Sequence, residues 1–137
     1  MADLVFFYGT LMMPFNRHGS QRIDRHLTYA GRGSIAAALF DLGIYPAAVP
    51  NPDSVVWGEL FEVSNTGFVL DVLDEIEGHR PDAPERSLYT RMATPVTLED
   101  GRTLEAWAYF YNAPLGGAPR IRSGDYLQYL KMQGRSG

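Results

Sequence analysis

Leu4-Val5-Phe6-Phe7-Tyr8-Gly9-Thr10-Leu11 is the stretch from which the rest of the chain is read. Leu4–Tyr8 is continuous, apolar and rich in β-branched and aromatic residues, the pattern of a strand covered on both faces, and Gly9 stops it. A glycine turn at a buried strand end frees consecutive backbone N–H groups of Gly9, Thr10 and Leu11 to face a cavity, where they suit a carboxylate or carbonyl oxygen. The same glycine equally serves as a plain tight turn.

Outward from it, Met12–His26 mixes Pro14, Gly19 and scattered arginines and reads as loop with a short helix. Ser34–Leu42 alternates Ile35, Ala37 and Leu39 and ends at Gly43 as a strand. It leads into a loop holding Tyr45-Pro46 and Pro50-Asn51-Pro52, which cannot continue a central strand. Val55–Val63 is apolar in both alternating sets and reads as a strand covered on two sides. Ser64 is placed to cap a helix with Phe68, Val72 and Ile76 at four-residue spacing, Leu73 beside them, and a stop at Gly78. Leu88–Leu98 and Thr103–Tyr111 flank Glu99-Asp100-Gly101-Arg102 and predict a hairpin. Ser123-Gly124-Asp125 opens a terminal helix that ends near Gly134. Five or more strands with two helices predict one α+β domain over 1–137.

The chain has 137 residues, 45% of them hydrophobic and 20% charged, enough to bury a core without disulfides or a structural metal. Its 14 glycines and 9 prolines stay below the roughly 25–30% at which composition alone suggests disorder. The absence of cysteine removes thiolate nucleophiles, Cys-bound zinc and dithiol redox chemistry. A net charge of -4 with no dense basic patch argues against nucleic acid as a partner. The apolar run Leu4–Tyr8 is too short to span a membrane or form a signal-peptide core, so a cytoplasmic address is expected.

The common zinc, serine-hydrolase, phosphate-loop and dinucleotide motifs are missing. His18, His26 and His79 have no partner at ligand spacing and read as surface histidines. Arg17, Arg22, Arg25 and Arg32 read as a solvated basic face, and Trp57 and Trp107 as core. In Leu73-Asp74-Glu75-Ile76-Glu77-Gly78, three carboxylates crowd the last helical turn, where the helix field is negative and raises a carboxylate pKa. A general base near neutrality wants that shift. Glu77, after Ile76 and before the turn, is the one placed to face a cleft; a solvated acidic cap is the plainer alternative. Tyr45, Tyr89, Tyr109 and Tyr111 form a third group, with Tyr109 and Tyr111 on one face of their strand.

In order and spacing, Val5-Phe6-Phe7-Tyr8-Gly9-Thr10-Leu11, Tyr45-Pro46-Ala47, Trp57-Gly58-Glu59-Leu60-Phe61 and Leu73-Asp74-Glu75-Ile76-Glu77-Gly78 resemble the γ-glutamylcyclotransferase-like (AIG2-like) family. Tyr89-Thr90-Arg91, Trp107-Ala108-Tyr109-Phe110-Tyr111 and Ser123-Gly124-Asp125-Tyr126 extend the resemblance over nearly the whole chain. It implies a small mixed β-barrel of about five to seven strands flanked by two or more helices. It also implies an acyl-transferring enzyme that cyclises a small γ-glutamyl substrate to 5-oxoproline and a free amine, with no cofactor and no metal. By position its catalytic acid is Glu77. The substrate would be held by Tyr8, Gly9, Thr10, Leu11, Tyr45, Tyr89 and Tyr111, with Tyr89 hydrogen-bonding near the acid. A module that keeps the pocket for a small carboxylate or amino-acid-like ligand without turnover is the alternative; a partner surface built from the acidic helix end and exposed tyrosines is a third reading. Rim segments Met12–Gln21, His79–Ser87 and Pro114–Ile121 would choose the leaving amine.

Overall fold

The computed structural model describes residues 3–9, 23–43, 45–77, 82 and 88–134; at positions 24 and 77 the description is of the backbone. Strands are β1 (Asp3–Phe7), β2 (Leu27–Asp41), β3 (Pro46–Val63), β4 (Tyr89–Leu98), β5 (Thr103–Tyr111) and β6 (Arg120–Ile121). Helices are α1 (Thr66–Glu77) and α2 (Tyr126–Met132), with a 3-10 turn at Asp24–His26.

β1 carries the deepest strand core: Val5, Phe6, Phe7 and the following Tyr8 are all buried, as the unbroken apolar run requires. It pairs antiparallel with β3 (Val5 opposite Phe61) and parallel with β5 (Val5 opposite Trp107). β3 pairs with β2, β2 with β4 at Gly33 and Ser34, and β4 with β5 through the predicted Asp100-Gly101 hairpin. The ring β1-β3-β2-β4-β5 therefore closes into a five-stranded mixed barrel, and β6 adds to β2. Closure gives each of these five strands a hydrogen-bonded neighbour on both sides, through short ladders between β2 and β4 and between β1 and β5. Gly58 makes it possible: a Cβ there would lie 2.2 Å from the Phe7 carbonyl oxygen and 2.7 Å from Phe6 Cζ, so only a glycine lets β3 pass this close to β1.

Two expectations about the strands change. Tyr45 to Pro52 is not a loop but largely strand: β3 runs from Pro46, and its ladder with β2 jumps from Ala36 opposite Val55 to Ala37 opposite Pro50. Residues 51–54 are an excursion from that ladder, held by Asp53 N–H donating to Asn51 Oδ1 at 2.8 Å, so Pro52 sits where no ladder N–H is called for. β2 likewise begins at Leu27, not Ser34, carrying its glycines through a register shift between Tyr29 and Gly31. The strand β6 had no pattern long enough to announce it.

α1 spans the predicted range, but its deepest stripe is Val69 and Leu73 while Phe68 is 40% exposed. Ser64 does not cap it. The residue before the helix is Asn65, at φ 51°, whose carbonyl accepts from Val69 N–H at 3.1 Å, and the Ser64 hydroxyl lies 3.3 Å from His26 Nδ1. α2 is capped by Asp125, which accepts from Gln128 N–H at 3.1 Å. No helix among the described residues is long and apolar enough to cross a membrane.

Candidate active site

The end of β1 meets the start of β3 at Pro46. Gly9 packs on its ring, where a Cβ would come within 3.0 Å of Pro46 Cγ, and the Tyr89 hydroxyl donates to the Pro46 carbonyl at 2.9 Å. Tyr89 opposes Tyr111 in the β4–β5 ladder, and the ring of Tyr89 stands edge-on to Tyr45 at 6.3 Å and to Tyr111 at 5.2 Å. Tyr45, Tyr89 and Tyr111 thus form one aromatic row beside Gly9. Tyr8 is 6% exposed; its hydroxyl donates to the Tyr109 carbonyl at 2.5 Å and accepts from Ala48 N–H at 3.3 Å. That phenol joins β1, β5 and β3 through their backbones.

α1 brings its acids to the same end. Asp74 is buried, at 6% exposure, while Glu75 is exposed, so the acidic turn is not a uniformly solvated cap. The Tyr109 hydroxyl donates to Asp74 Oδ1 at 2.5 Å, and Arg91 Nε makes an ion-pair contact with the same oxygen at 3.1 Å. The guanidinium of Arg91 lies 5.0 Å from the Trp107 ring centre. A buried carboxylate needs such compensation. Glu77 ends the helix. By its backbone, position 77 lies about one turn beyond Leu73 and Asp74, the two residues that α1 buries near its end.

Of the residues singled out in the sequence, Tyr8, Gly9, Tyr45, Tyr89 and Tyr111 come together. Thr10, Leu11, Gly78, His18, His79, Arg17, Arg22, the segments 12–21 and 79–81 and 83–87, and the Glu77 side chain lie outside the described residues. The Tyr109 hydroxyl reaches the acidic turn at Asp74, and the Tyr89 hydroxyl donates to the Pro46 carbonyl; the expected hydrogen bond of Tyr89 near Glu77 concerns a side chain outside the described residues. Asp74 itself escaped the sequence reading. The signal was the pairing of Val69 with Leu73, a stripe whose next turn takes in Asp74 and position 77, but the spacing of Phe68, Val72 and Ile76 pointed to a neighbouring face.

Trp107 is half-buried and packs against the core, whereas Trp57 is half-buried outside it; each is covered by a guanidinium, and Arg32 lies 4.5 Å from the Trp57 ring centre. Arg32 is therefore stacked and ion-paired, not part of a solvated basic face. It borders a cleft of about 290 Å³, whose lining shares no residue with the tyrosine row. Burial first, and then the charges of Glu59 and Glu99, raise the pKa of Tyr29 at its rim against the opposing pull of Arg32.

A family model described as "Gamma-glutamyl cyclotransferase, AIG2-like" matches residues 5–128. The chain belongs to that family. The gamma-glutamylcyclotransferase family protein MJ1514 of Methanocaldococcus jannaschii is 32% identical over 93% of this chain and 98% of its own length. The family protein YtfP of Escherichia coli is 31% identical over 90% of this chain and 95% of its own. Its solution structure superposes with a TM-score of 0.65, covering 92% of this chain and 97% of that one. Bacillus subtilis YkqA shares the fold at a TM-score of 0.72 and 22% identity, over 98% of this chain; the chain spans 43% of YkqA. YtfP and YkqA thus share the barrel fold of this chain.

Proposed function

We propose that the protein is a γ-glutamyl cyclotransferase acting on a small γ-glutamyl amide, with Glu77 as its single catalytic acid and base. One observation carries the reading: the Gly9 turn, the row Tyr45–Tyr89–Tyr111 and the last turn of α1 converge at one end of the barrel. The substrate α-amine attacks its own γ-carbonyl carbon; a C–N bond forms, the amide C–N bond breaks, and 5-oxoproline and a free amine leave. Glu77 takes a proton from the α-ammonium and returns one to the departing nitrogen.

Because nucleophile and electrophile belong to one molecule, the protein has chiefly to fold the substrate into an attacking shape. The amides of Gly9, Thr10 and Leu11 hold the substrate carboxylate or the developing oxyanion, and Tyr45, Tyr89 and Tyr111 wall the pocket. Tyr8 contributes by fixing the strand end rather than by offering its hydroxyl. Such a reaction needs neither thiol nor nucleotide.

The test is 5-oxoproline release from a panel of γ-glutamyl amino acids and γ-glutamyl amines. Glu77→Gln keeps the shape and removes the titrating oxygen. Turnover is expected to fall by about 100-fold or more with ligand binding retained. Unchanged turnover in Glu77→Gln would overturn the mechanism; wild-type binding without any turnover would favour a non-catalytic binding module.

A further inference from the structure

Tyr109 is engaged at both ends. Its hydroxyl donates to Asp74 on α1, and its carbonyl oxygen accepts from the hydroxyl of Tyr8, the residue before Gly9. One residue of β5 therefore connects the helix that ends at Glu77 with the strand that ends at the Gly9 turn. We infer that Asp74 and Tyr109 are positioning residues that fix the last turn of α1, and with it position 77, relative to that turn. The inference rests on Glu77 being the reactive carboxylate but concerns how it is placed.

The physical need for such a joint follows from how α1 is held. Val69 and Leu73 bury the helix by apolar contact, which is non-directional and leaves sliding and rotation weakly opposed. A hydrogen bond to a carboxylate is directional and about twice as strong as one between neutral groups. It is made one turn before position 77, where a small rotation of the helix displaces its end most. Near-attack geometry tolerates little error, since a misplacement of about 1 Å can cost roughly a hundredfold in rate. Arg91, held against Trp107, supplies the opposite charge at the same Asp74 oxygen.

Two variants separate this role from general stability. Asp74→Asn removes the charged acceptor, and Tyr109→Phe removes only the hydroxyl, leaving the ring and the carbonyl that holds Tyr8. Amide hydrogen exchange is read at residues 74–77 and, as an internal control, at residues 69–71 of the same helix. Both variants are expected to speed exchange in the last turn by about tenfold more than in the first. Equal acceleration along α1, or none, in the folded Tyr109→Phe protein would overturn the inference without any assay of turnover. In kinetics, each variant is expected to lower kcat about tenfold with KM within twofold, and to lower the residual rate of Glu77→Gln by less than twofold, because a residue acting through position 77 has nothing left to position. A full tenfold loss repeated in the Glu77→Gln background would also overturn it. Absence of 5-oxoproline release by the wild type would instead defeat the proposed reaction, and the exchange measurement would still decide whether the joint exists.

Discussion

The barrel carries the same three-residue joint twice. Arg32 stacks on Trp57 and pairs with Asp125 at 2.7 Å; Arg91 stacks on Trp107 and pairs with Asp74 at 3.1 Å. Each joint fastens a helix to the barrel wall, α2 in the first case and α1 in the second. They differ in two physical respects. The side chains of Arg32 and Asp125 are 38% and 22% exposed, against 19% and 8% for Arg91 and Asp74. Asp125 caps a helix start, where the helix field favours an acid, whereas Asp74 lies in a last turn, where it does not. The outer joint adds one more support to a position already favourable. The inner one holds an acid where it is doubly costly, and its location beside position 77 gives a reason for keeping it there.

Breaking each joint should reveal that difference. Asp74→Asn leaves Arg91 facing a neutral amide in a buried setting and is expected to cost about 3 kcal/mol of stability, the lower end of the range for removing one partner of a buried pair. Asp125→Asn, which retains a good capping group, is expected to cost under about 0.5 kcal/mol. Urea unfolding of the two variants checks the ranking, and equal losses would show that burial does not distinguish the joints. Asp125→Ala removes the cap as well as the pair and is expected to cost about 1 kcal/mol. A third acid–arginine pair, Asp100 with Arg102 at 2.7 Å on the hairpin turn, has no helix and stands in solvent. There the Arg102 backbone N–H, and then its side chain, hold the Asp100 carboxyl below its ordinary 3.8. A lowered folded pKa contributes stability above the unfolded value that is lost as pH falls through the folded one. Asp100→Asn should therefore slightly lower the urea midpoint near neutrality, leave it unchanged at the acid end, and so flatten its acid dependence.

The sequence carried most of the barrel, because the elements that close it have strong local signals. The Leu4–Tyr8 run, the Val55–Val63 strand and the Asp100-Gly101 turn each state their structure within a few residues, although Val55–Val63, expected to be covered on two sides, buries Val56, Gly58 and Leu60 while Val55 and Glu62 are exposed and Trp57 and Glu59 half-buried. What escaped depended on distant partners. The proline stretch enters β3 because residues 51–54 leave the ladder as an excursion, which depends on how β2 lies opposite. Ser64 serves His26 instead of the helix because the turn Asp24–His26 packs there, 38 residues away in the chain. The tyrosine row was legible as a group, since the alternation of β4 and β5 places Tyr89 against Tyr111. Asp74 was not, because the depth of an acid on an amphipathic helix depends on which of two adjacent apolar stripes faces the barrel.

The pairing of β1 also bears on how the protein is made. Tyr8 and Tyr109 are hydrogen-bonded across 101 positions of chain, and β1 takes its second neighbour, β5, from that same distant stretch. At about 5–20 residues per second of synthesis, the apolar β1 waits several seconds or more for the strand that completes its pairing. The barrel cannot ring-close before β5 has emerged, so its folding is governed by long-range contacts of the slow kind. During that interval Leu4–Phe7 is the segment most exposed to wrong association, and a charge introduced at Val5 or Phe7 to protect it would be buried in the finished barrel.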